Sequence, residues 1–321
     1  MKTVLILVFL WSYTICSTAQ TIDTFSVDSG GASVSAGNIS IFYTIGEVNV
    51  QELHADQIQV SEGFINSDFK IKIDPKLFLQ GPLLSPAIPS LMNDNLRASL
   101  LPTTSPYTDA ATCDASVFTV TGNNAIVDWV WVELRAANDN TKLINGKSAL
   151  VQRDGDVVDI DGVSHLIMNA APSNYYVVVN HRNHLGAMSA STVGLSEDTV
   201  TVVNFKSSSF STYGSNAQTL LGSGDMALWA GNANGDSAVR YLGGGNDTNF
   251  IKDEVLNHPN NPSGVNLIPF SGYSNADVNL DGTVRYLGAN NDTNILKDII
   301  LNHPNNGSLS NLFLLLSQIP N

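Results

Sequence analysis

Apolar and polar positions alternate along most of the chain up to about residue 230. Residues 125–135 read AIVDWVWVELR, a strand pattern with Val127, Trp129, Trp131 and Glu133 on one face. Ile126, Asp128, Val130, Val132 and Leu134 occupy the other face. Shorter runs of the same period follow at 149–152, 157–160, 165–168, 175–180, 199–205 and 226–229. Asp154-Gly155 and Asp161-Gly162 are hairpin signals, because Gly takes the positive φ of tight turns. Roughly seven strands at about 8–12-residue spacing, with no helix between them, predict an antiparallel, Ig-like β-sandwich over 116–230.

The flanking regions have different patterns. Residues 20–74 carry short alternating runs at 24–27, 39–43, 48–50 and 58–60, separated by glycines, which predict an N-terminal β meander. Residues 75–115 hold six prolines, at 75, 82, 86, 89, 102 and 106, and read as an extended linker with one helical turn near 91–100. Leu77, Phe78, Leu79 and Leu91 would be costly in water, so this linker is expected to pack on a neighbour.

After residue 230 the period becomes helical and the chain repeats itself. Residues 232–261 return as 277–306 without a gap, with 19 of 30 positions identical. A duplication this close means one supersecondary unit used twice. In the second copy Asp277, Asn279 and Asp281 stand at positions one, three and five, Gly282 at six, and the Thr283 carbonyl at seven. Short oxygen-bearing side chains at alternate positions, with Gly at the bend, are the opening half of an EF-hand-type calcium loop. The first copy offers Asn232, Asn234, Asp236 and the Ala238 carbonyl. Position twelve, where such loops close with an acid, is Gly243 or Gly288. Asp247 and Asp292, four residues later, are the expected closing ligands, each also able to cap the helix behind it. Phe250-Ile251 with Val255-Leu256, and Ile295-Leu296 with Ile299-Ile300, predict helices with one buried face, ended by Asn-His-Pro. Asn232 in place of Asp277 removes a charge, and Ser237 in place of Gly282 strains the bend, so the second site is expected to be the tighter.

Composition narrows the setting. Lys2, an apolar stretch at 4–11 and Ser17-Thr18-Ala19 form a signal-peptide pattern over 1–19, cleaved after Ala19, so a secreted or cell-surface location is expected. Ile15 before Cys16 is not the small residue of a lipidation site. No other apolar run approaches the roughly 20 residues of a membrane span. Without Lys2 the balance is 14 basic to 29 acidic residues, a net of −15 that disfavours nucleic acid and suits cations. Cys113 is then alone, and a lone thiol is usually a small buried hydrophobe.

The paired D-x-N-x-D-G loops, each followed by a helix, resemble a dockerin module. That resemblance implies calcium-dependent docking to a cohesin-like partner. The 45-residue period and the missing acid at position twelve depart from the dockerin pattern. More of the chain resembles secreted bacterial hemagglutinin-like surface proteins. The carrying segments are Gly30-Gly31, Tyr43-Thr44-Ile45-Gly46-Glu47, Gly63-Phe64, residues 126–130 with 133–135, residues 152–162, residues 175–185 and the repeat.

Other chemistry is thinner. His181 and His184 offer two imidazoles to a transition metal but no third ligand, which favours a structural role at a strand end. Glu133 and Asp154 would serve a glycosidase only if about 5–10 Å apart in a cleft. Trp129 and Trp131 could stack on sugars if exposed. Ser274 lies in GYSNA, a poor nucleophile elbow. Two functions remain: a non-catalytic calcium-binding adhesion or docking protein with a glycan or protein ligand, or a secreted polysaccharide-active hydrolase anchored by the dockerin-like tail.

Overall fold

In the computed structural model, residues 69–320 are described in full, and before them only the backbone of four strands. The chain divides into two units, residues 1–68 and 69–321. In the first, β1 (Gly31–Ala36) pairs antiparallel with β2 (Ile39–Thr44), and β3 (Gln51–Ala55) with β4 (Ile58–Glu62). The expected meander is therefore two separate hairpins. The signal segment, Cys16 and the runs at 24–27 and 48–50 lie outside the described residues.

The second unit begins earlier than the sequence suggests. β5 (Lys70–Lys76) is one of its strands, with Ile71 and Ile73 fully buried. The long strand expected at 125–135 is β6 (Ile126–Ala136). It pairs with β7 (Asp139–Gln152), which starts ten residues before its apolar run because its first half is a polar, mostly exposed hairpin arm. β8 (Val157–Val158) follows the Asp154-Gly155 turn, where Gly155 has φ +88°. β9 (Leu166–Asn169) leaves this sheet and pairs with β5, so the Asp161-Gly162 turn links two sheets and closes no hairpin. β10 (Ser173–His181) lies on the other side of β6 and turns through Arg182-Asn183 into β11 (His184–Met188). β11 has no alternation because all five of its residues are buried. β12 (Val193–Leu195) pairs antiparallel with the start of β10, and β13 (Thr201–Asn204) runs parallel to β5. β14 (Gln218–Leu220) and β15 (Met226–Leu228) form a small ladder. The unit is thus mainly β, with a six-stranded and a three-stranded sheet as its largest.

The proline-rich stretch is part of the core and not a spacer. Leu77, Leu79, Met92 and Leu96 are buried with the sheet residues. The Trp129 indole, fully buried, donates to the Pro102 carbonyl at 2.8 Å, so this stretch covers the face on which that tryptophan stands.

The duplicated region carries β16 (Ala238–Arg240), helix α1 (Asp247–Asn257), β17 (Phe270–Ser271), β18 (Thr283–Val284), helix α2 (Asp292–Leu301) and β19 (Leu314–Leu316). Ile251 and Val255 on α1, and Leu296, Ile299 and Ile300 on α2, supply the buried faces. β16 pairs with β19, and β17 with β18. The register Phe270↔Val284 becomes Leu315↔Val239 on moving each residue by the repeat length, and that pair is the centre of the other ladder. Each copy therefore lends its post-helix strand to the other copy's loop. Neither copy is complete alone.

Candidate metal centre

Loop 1 (residues 232–247) and loop 2 (residues 277–292) follow one backbone path. Left-handed φ recurs at four matched pairs: Gly235 (+74°) and Leu280 (+56°), Ser237 (+65°) and Gly282 (+84°), Gly243 (+109°) and Gly288 (+104°), Gly245 (+65°) and Asn290 (+52°). Gly at position twelve is thereby explained, since an acid would be strained there. The chain makes one further turn before an acid returns. The expectation that only loop 1 carries strain needs correction. Loop 1 puts Gly at position four and Ser at six, and loop 2 puts Leu at four and Gly at six, so each bend holds one strained side chain at a cost of ~1 kcal/mol.

In loop 2 the named residues converge. The buried Asp277 carboxylate accepts from the amides of Asp281 (3.0 Å) and Gly282 (2.7 Å). Asp292 reaches back across the loop, accepting from Val278 N and Arg285 N, both at 2.8 Å. Asp281 accepts from Thr283 N at 2.8 Å, and Asn279 Oδ1 accepts from Asp281 N at 3.2 Å. Burial, then the Asp281 charge, pushes Asp277 up to about 7. Burial, then the charges of Asp277 and Asp281, pushes Asp292 well above the ordinary range. These acids are held together against their own repulsion. The Arg285 guanidinium already donates to Asp281 Oδ2 at 2.8 Å and to the Thr283 carbonyl at 3.4 Å, a positive charge on positions five and seven.

Loop 1 repeats the plan with less charge and more exposure. Asp247 accepts from Asn234 N (3.2 Å) and Arg240 N (2.8 Å) and is pushed up to about 7, mainly by burial and further by the Asp236 charge. Asp236 accepts from Ala238 N at 3.0 Å and from the Asn234 side-chain amide at 3.1 Å. Asn232, buried at position one, makes no such bonds, and its Oδ1 has no partner. Arg240 turns away to the Gly244 carbonyl. Gly235, Asp236 and Ser237 are exposed, whereas Gly282 and Leu280 are buried.

The donor chemistry fits a hard cation: every candidate ligand is an oxygen, from carboxylate, amide or backbone carbonyl. Among the described residues, no three His, Cys, Asp or Glu side chains form a ready-made metal cluster. The acids lie instead on backbone amides, with further lone pairs to offer. The capping expectation is overturned. Asn246 and Asn291 are the N-caps, accepting from Asn249 N (2.8 Å) and Asn294 N (2.7 Å), and Asp247 and Asp292 are the first helical residues. Their carboxylates are therefore free to face the loops.

A contact absent from the linear pattern holds loop 2 in place. The Arg182-Asn183 hairpin tip inserts into it: Asn183 Nδ2 donates to the carbonyls of Asp277 (2.7 Å) and Asn275 (3.1 Å), and Arg182 Nη1 to the Ser274 carbonyl (2.5 Å). Arg182 also stacks on Tyr273, 4.1 Å from the ring centroid, and Tyr273 donates to buried Asp128 at 2.7 Å. Leu280 joins the sheet core, while Leu185 and Trp229 join the core of the repeats. The histidines complete the tip. Gly81 N donates to His184 Nε2 at 3.0 Å, so the proton of neutral His184 sits on Nδ1, 2.8 Å from Asn183 Oδ1 and 3.0 Å from His181 Nδ1. His181 then carries its proton on Nε2, 3.2 Å from Asp128. Burial lowers both pKa values, and for His184 the neighbouring charges of His181 and Arg182 lower it further. Three of the four ring nitrogens are in hydrogen bonds, the fourth faces Asp128, and among the described residues no cluster of three ligands includes the pair.

The remaining candidates separate. Glu133 bonds Trp131 Nε1 (3.0 Å) and Arg135 (2.9 Å) in mid-sheet. Asp154 lies beyond the far end of β6, its amide on the Asn123 carbonyl, and the seven residues of strand from Glu133 to Ile126 alone span about 23 Å at ~3.3 Å per residue. They form no glycosidase pair. Trp129 is buried and Trp131 half-buried. Cys113 is a free thiol, pushed up in pKa mainly by burial. Ser274 bonds Glu254 at 3.2 Å and meets no histidine partner. No family model matches this chain, and no curated protein or solved structure does either.

Proposed function

We propose that this is a secreted or cell-surface calcium-binding protein that acts by adhesion or docking and performs no catalysis. The observation that carries the reading is loop 2. Asp277 and Asp292 are buried in an all-oxygen loop, where each opposes the other's charge and that of the half-buried Asp281, an arrangement a divalent cation relieves. Loop 1, on the same backbone with two acids, is the second calcium site. Bound calcium would supply one positive centre per loop, with Asp277, Asn279, Asp281, the Thr283 carbonyl and Asp292 around one, and Asn232, Asn234, Asp236, the Ala238 carbonyl and Asp247 around the other.

The six-stranded and three-stranded sheets share one core, which supports the Ig-like sandwich as the presenting scaffold. Among the described residues no helix is long and apolar enough to cross a membrane. The dockerin-like reading gives an extracellular protein or glycan, or a cohesin-like receptor, as partner. The hydrolase alternative loses its one named acid pair.

A calcium-dependent pull-down from the surrounding medium, repeated with Asp281→Ala, tests this reading. Capture is expected in calcium and is lost in chelator and in the variant. Capture unchanged by chelator would remove the repeats from the docking role.

A further inference from the structure

Loop 1 carries a reactive pair that loop 2 lacks. Asn234 is followed by Gly235, and Asn-Gly occurs at two other places in the chain, Asn145-Gly146 and Asn306-Gly307. In such a pair the glycine nitrogen can attack the asparagine side-chain carbonyl, because no Cβ shields it. The bond from the glycine nitrogen to Cγ forms and the Cγ–Nδ2 bond breaks. The glycine's amide proton leaves with the Nδ2 nitrogen as ammonia. Water then opens the five-membered imide at one of its two carbonyls, giving an aspartate or its β-linked isomer.

The three pairs sit in different settings. Asn145-Gly146 lies within β7, in register with Leu134 and Glu133, and a Cβ on Gly146 would meet the Trp131 ring at 2.3 Å. The extended backbone stands the Asn145 side chain out from the sheet, away from the next amide. Asn306 is 2 % exposed, its Nδ2 donates to the carbonyls of Ile300 (2.8 Å) and Ser310 (2.9 Å), and its Oδ1 accepts from Ser310 N at 2.9 Å. That side chain is held on Ile300 and Ser310, not on Gly307.

Asn234-Gly235 is open. Gly235 is exposed at φ +74°, a Cβ there would have no atom within 4 Å, and among the described residues its amide donates to no acceptor. Asn234 Oδ1 accepts from Asp236 N at 3.1 Å, two residues on, which folds the side chain over the Gly235 amide. The same N–H polarises the carbonyl and steadies the oxyanion that develops under attack. Loop 2 is the matched control. Asn279 Oδ1 accepts from Asp281 N at 3.2 Å in the same way, but the residue between them is Leu280, whose branched side chain is fixed in the sheet core.

We propose that Asn234 is a self-modification site, converted by water alone to an aspartate and its β-linked isomer, with loop 2 spared. Asn234 Nδ2 donates to Asp236 Oδ2 and to the Gly245 carbonyl, both at 3.1 Å, and both bonds go with the departing nitrogen. The β-linked isomer, the usual major product of imide opening, routes the backbone through the side chain and displaces the position-three oxygen. The modification needs no metal. Its consequence, a loop 1 that loses calcium with age while loop 2 keeps it, rests on the calcium reading.

The full chain is incubated in mildly alkaline buffer with chelator and followed by peptide mapping in a mass spectrometer, with enzymatic methyl-labelling for the β-linked isomer. A synthetic peptide of residues 231–240 sets the rate of the same pair without the fold. Deamidation is expected at Asn234 at least tenfold faster than at Asn145, Asn279 or Asn306. Gly235→Ala is expected to slow it to their level and still melt cooperatively, since loop 2 already carries a side chain at position four. Asn145 or Asn306 reacting first overturns the site, as does an unchanged Asn234 after the peptide has turned over. Calorimetry then separates the two readings. Loss of the weaker calcium event in the aged chain, with the tighter kept, supports the consequence for loop 1. Two unchanged events beside a modified Asn234 overturn that consequence, and no calcium heat in fresh chain overturns the calcium reading while the modification stands.

Discussion

Loops 1 and 2 share a backbone, a set of oxygen positions and a helix behind them, yet they sit in opposite surroundings. Loop 2 is pressed into the β region: Leu280 enters the sheet core, a Cβ on Gly282 would meet Leu100 at 2.8 Å, and Asn183 grips the Asp277 carbonyl. Loop 1 has an exposed tip, an uncharged Asn232 and open space around Gly235. The same motif therefore serves two ends. Loop 2 is part of the fold, so its cation would join the repeats to the sheets. Loop 1 faces solvent, where a change in occupancy would alter a surface.

The comparison can be broken at position four. Leu280→Gly removes a side chain that is 1 % exposed in the sheet core and lowers stability by about 3 kcal/mol or more, although relief of the left-handed strain returns ~1 kcal/mol. If urea unfolding finds the Leu280→Gly chain as stable as the parent, loop 2 is not anchored there.

The closing acids give the next largest contrast. Asp292→Ala strips partners from Val278 N and Arg285 N in a buried setting and is expected to cost roughly 2–3 kcal/mol in chelator. Asp247→Ala removes an equally buried carboxylate but frees Asn234 N and Arg240 N, both half-buried beside an exposed tip, so a smaller loss of about 1 kcal/mol is expected. Equal losses in thermal melts would erase the distinction between the loops.

Acidity acts on the two regions with opposite sign. His181 and His184 are neutral in the fold with lowered pKa, while the unfolded chain takes up protons below about pH 6.5. Stability from the hairpin tip is therefore full above that pH and falls as pH drops, by up to ~1.4 kcal/mol per pH unit per imidazole. Asp247 and Asp277, raised to about 7, are protonated in the metal-free fold where the unfolded chain is ionised. Without calcium their contribution falls as pH rises from about 4 through 7. Calcium, by holding the ionised form, removes that second slope. Melting temperature against pH, in chelator and in calcium, should differ on the neutral side and coincide on the acid side.

Ser237→Gly is the smallest change. It replaces a strained exposed residue at φ +65° and should raise stability by ~1 kcal/mol, with no packing lost. A loss would mean that Ser237 makes a contact that outweighs its strain.

What the sequence makes legible is what repeats locally. The duplication, the inward oxygens and the two helices follow from identities and spacing over 232–306. Asp247 and Asp292 do reach back to amides across the loops, whereas their capping role fails because Asn246 and Asn291, one residue earlier, are equally good caps. Features made by distant residues are harder to read. HLGAM at 184–188 has no alternation because the strand is covered on both faces. The prolines at 75–106 read as a linker; its Leu77, Phe78 and Leu79 pack as their apolar character implies, but Met92 and Leu96 in the same core are not singled out by any pattern. The exchange of strands between copies rests on segments of two or three residues, too short to carry a period. The Arg182-Asn183 tip appears only once β10 and β11 are paired and loop 2 is placed over them.

Calorimetric titration of calcium into metal-free protein tests the central claim most directly. Two binding events of unequal affinity are expected, the tighter abolished by Asp281→Ala with the weaker retained, and the weaker abolished by Asp236→Ala with the tighter retained. Two equal events, a single event, or no heat beyond dilution would contradict the account.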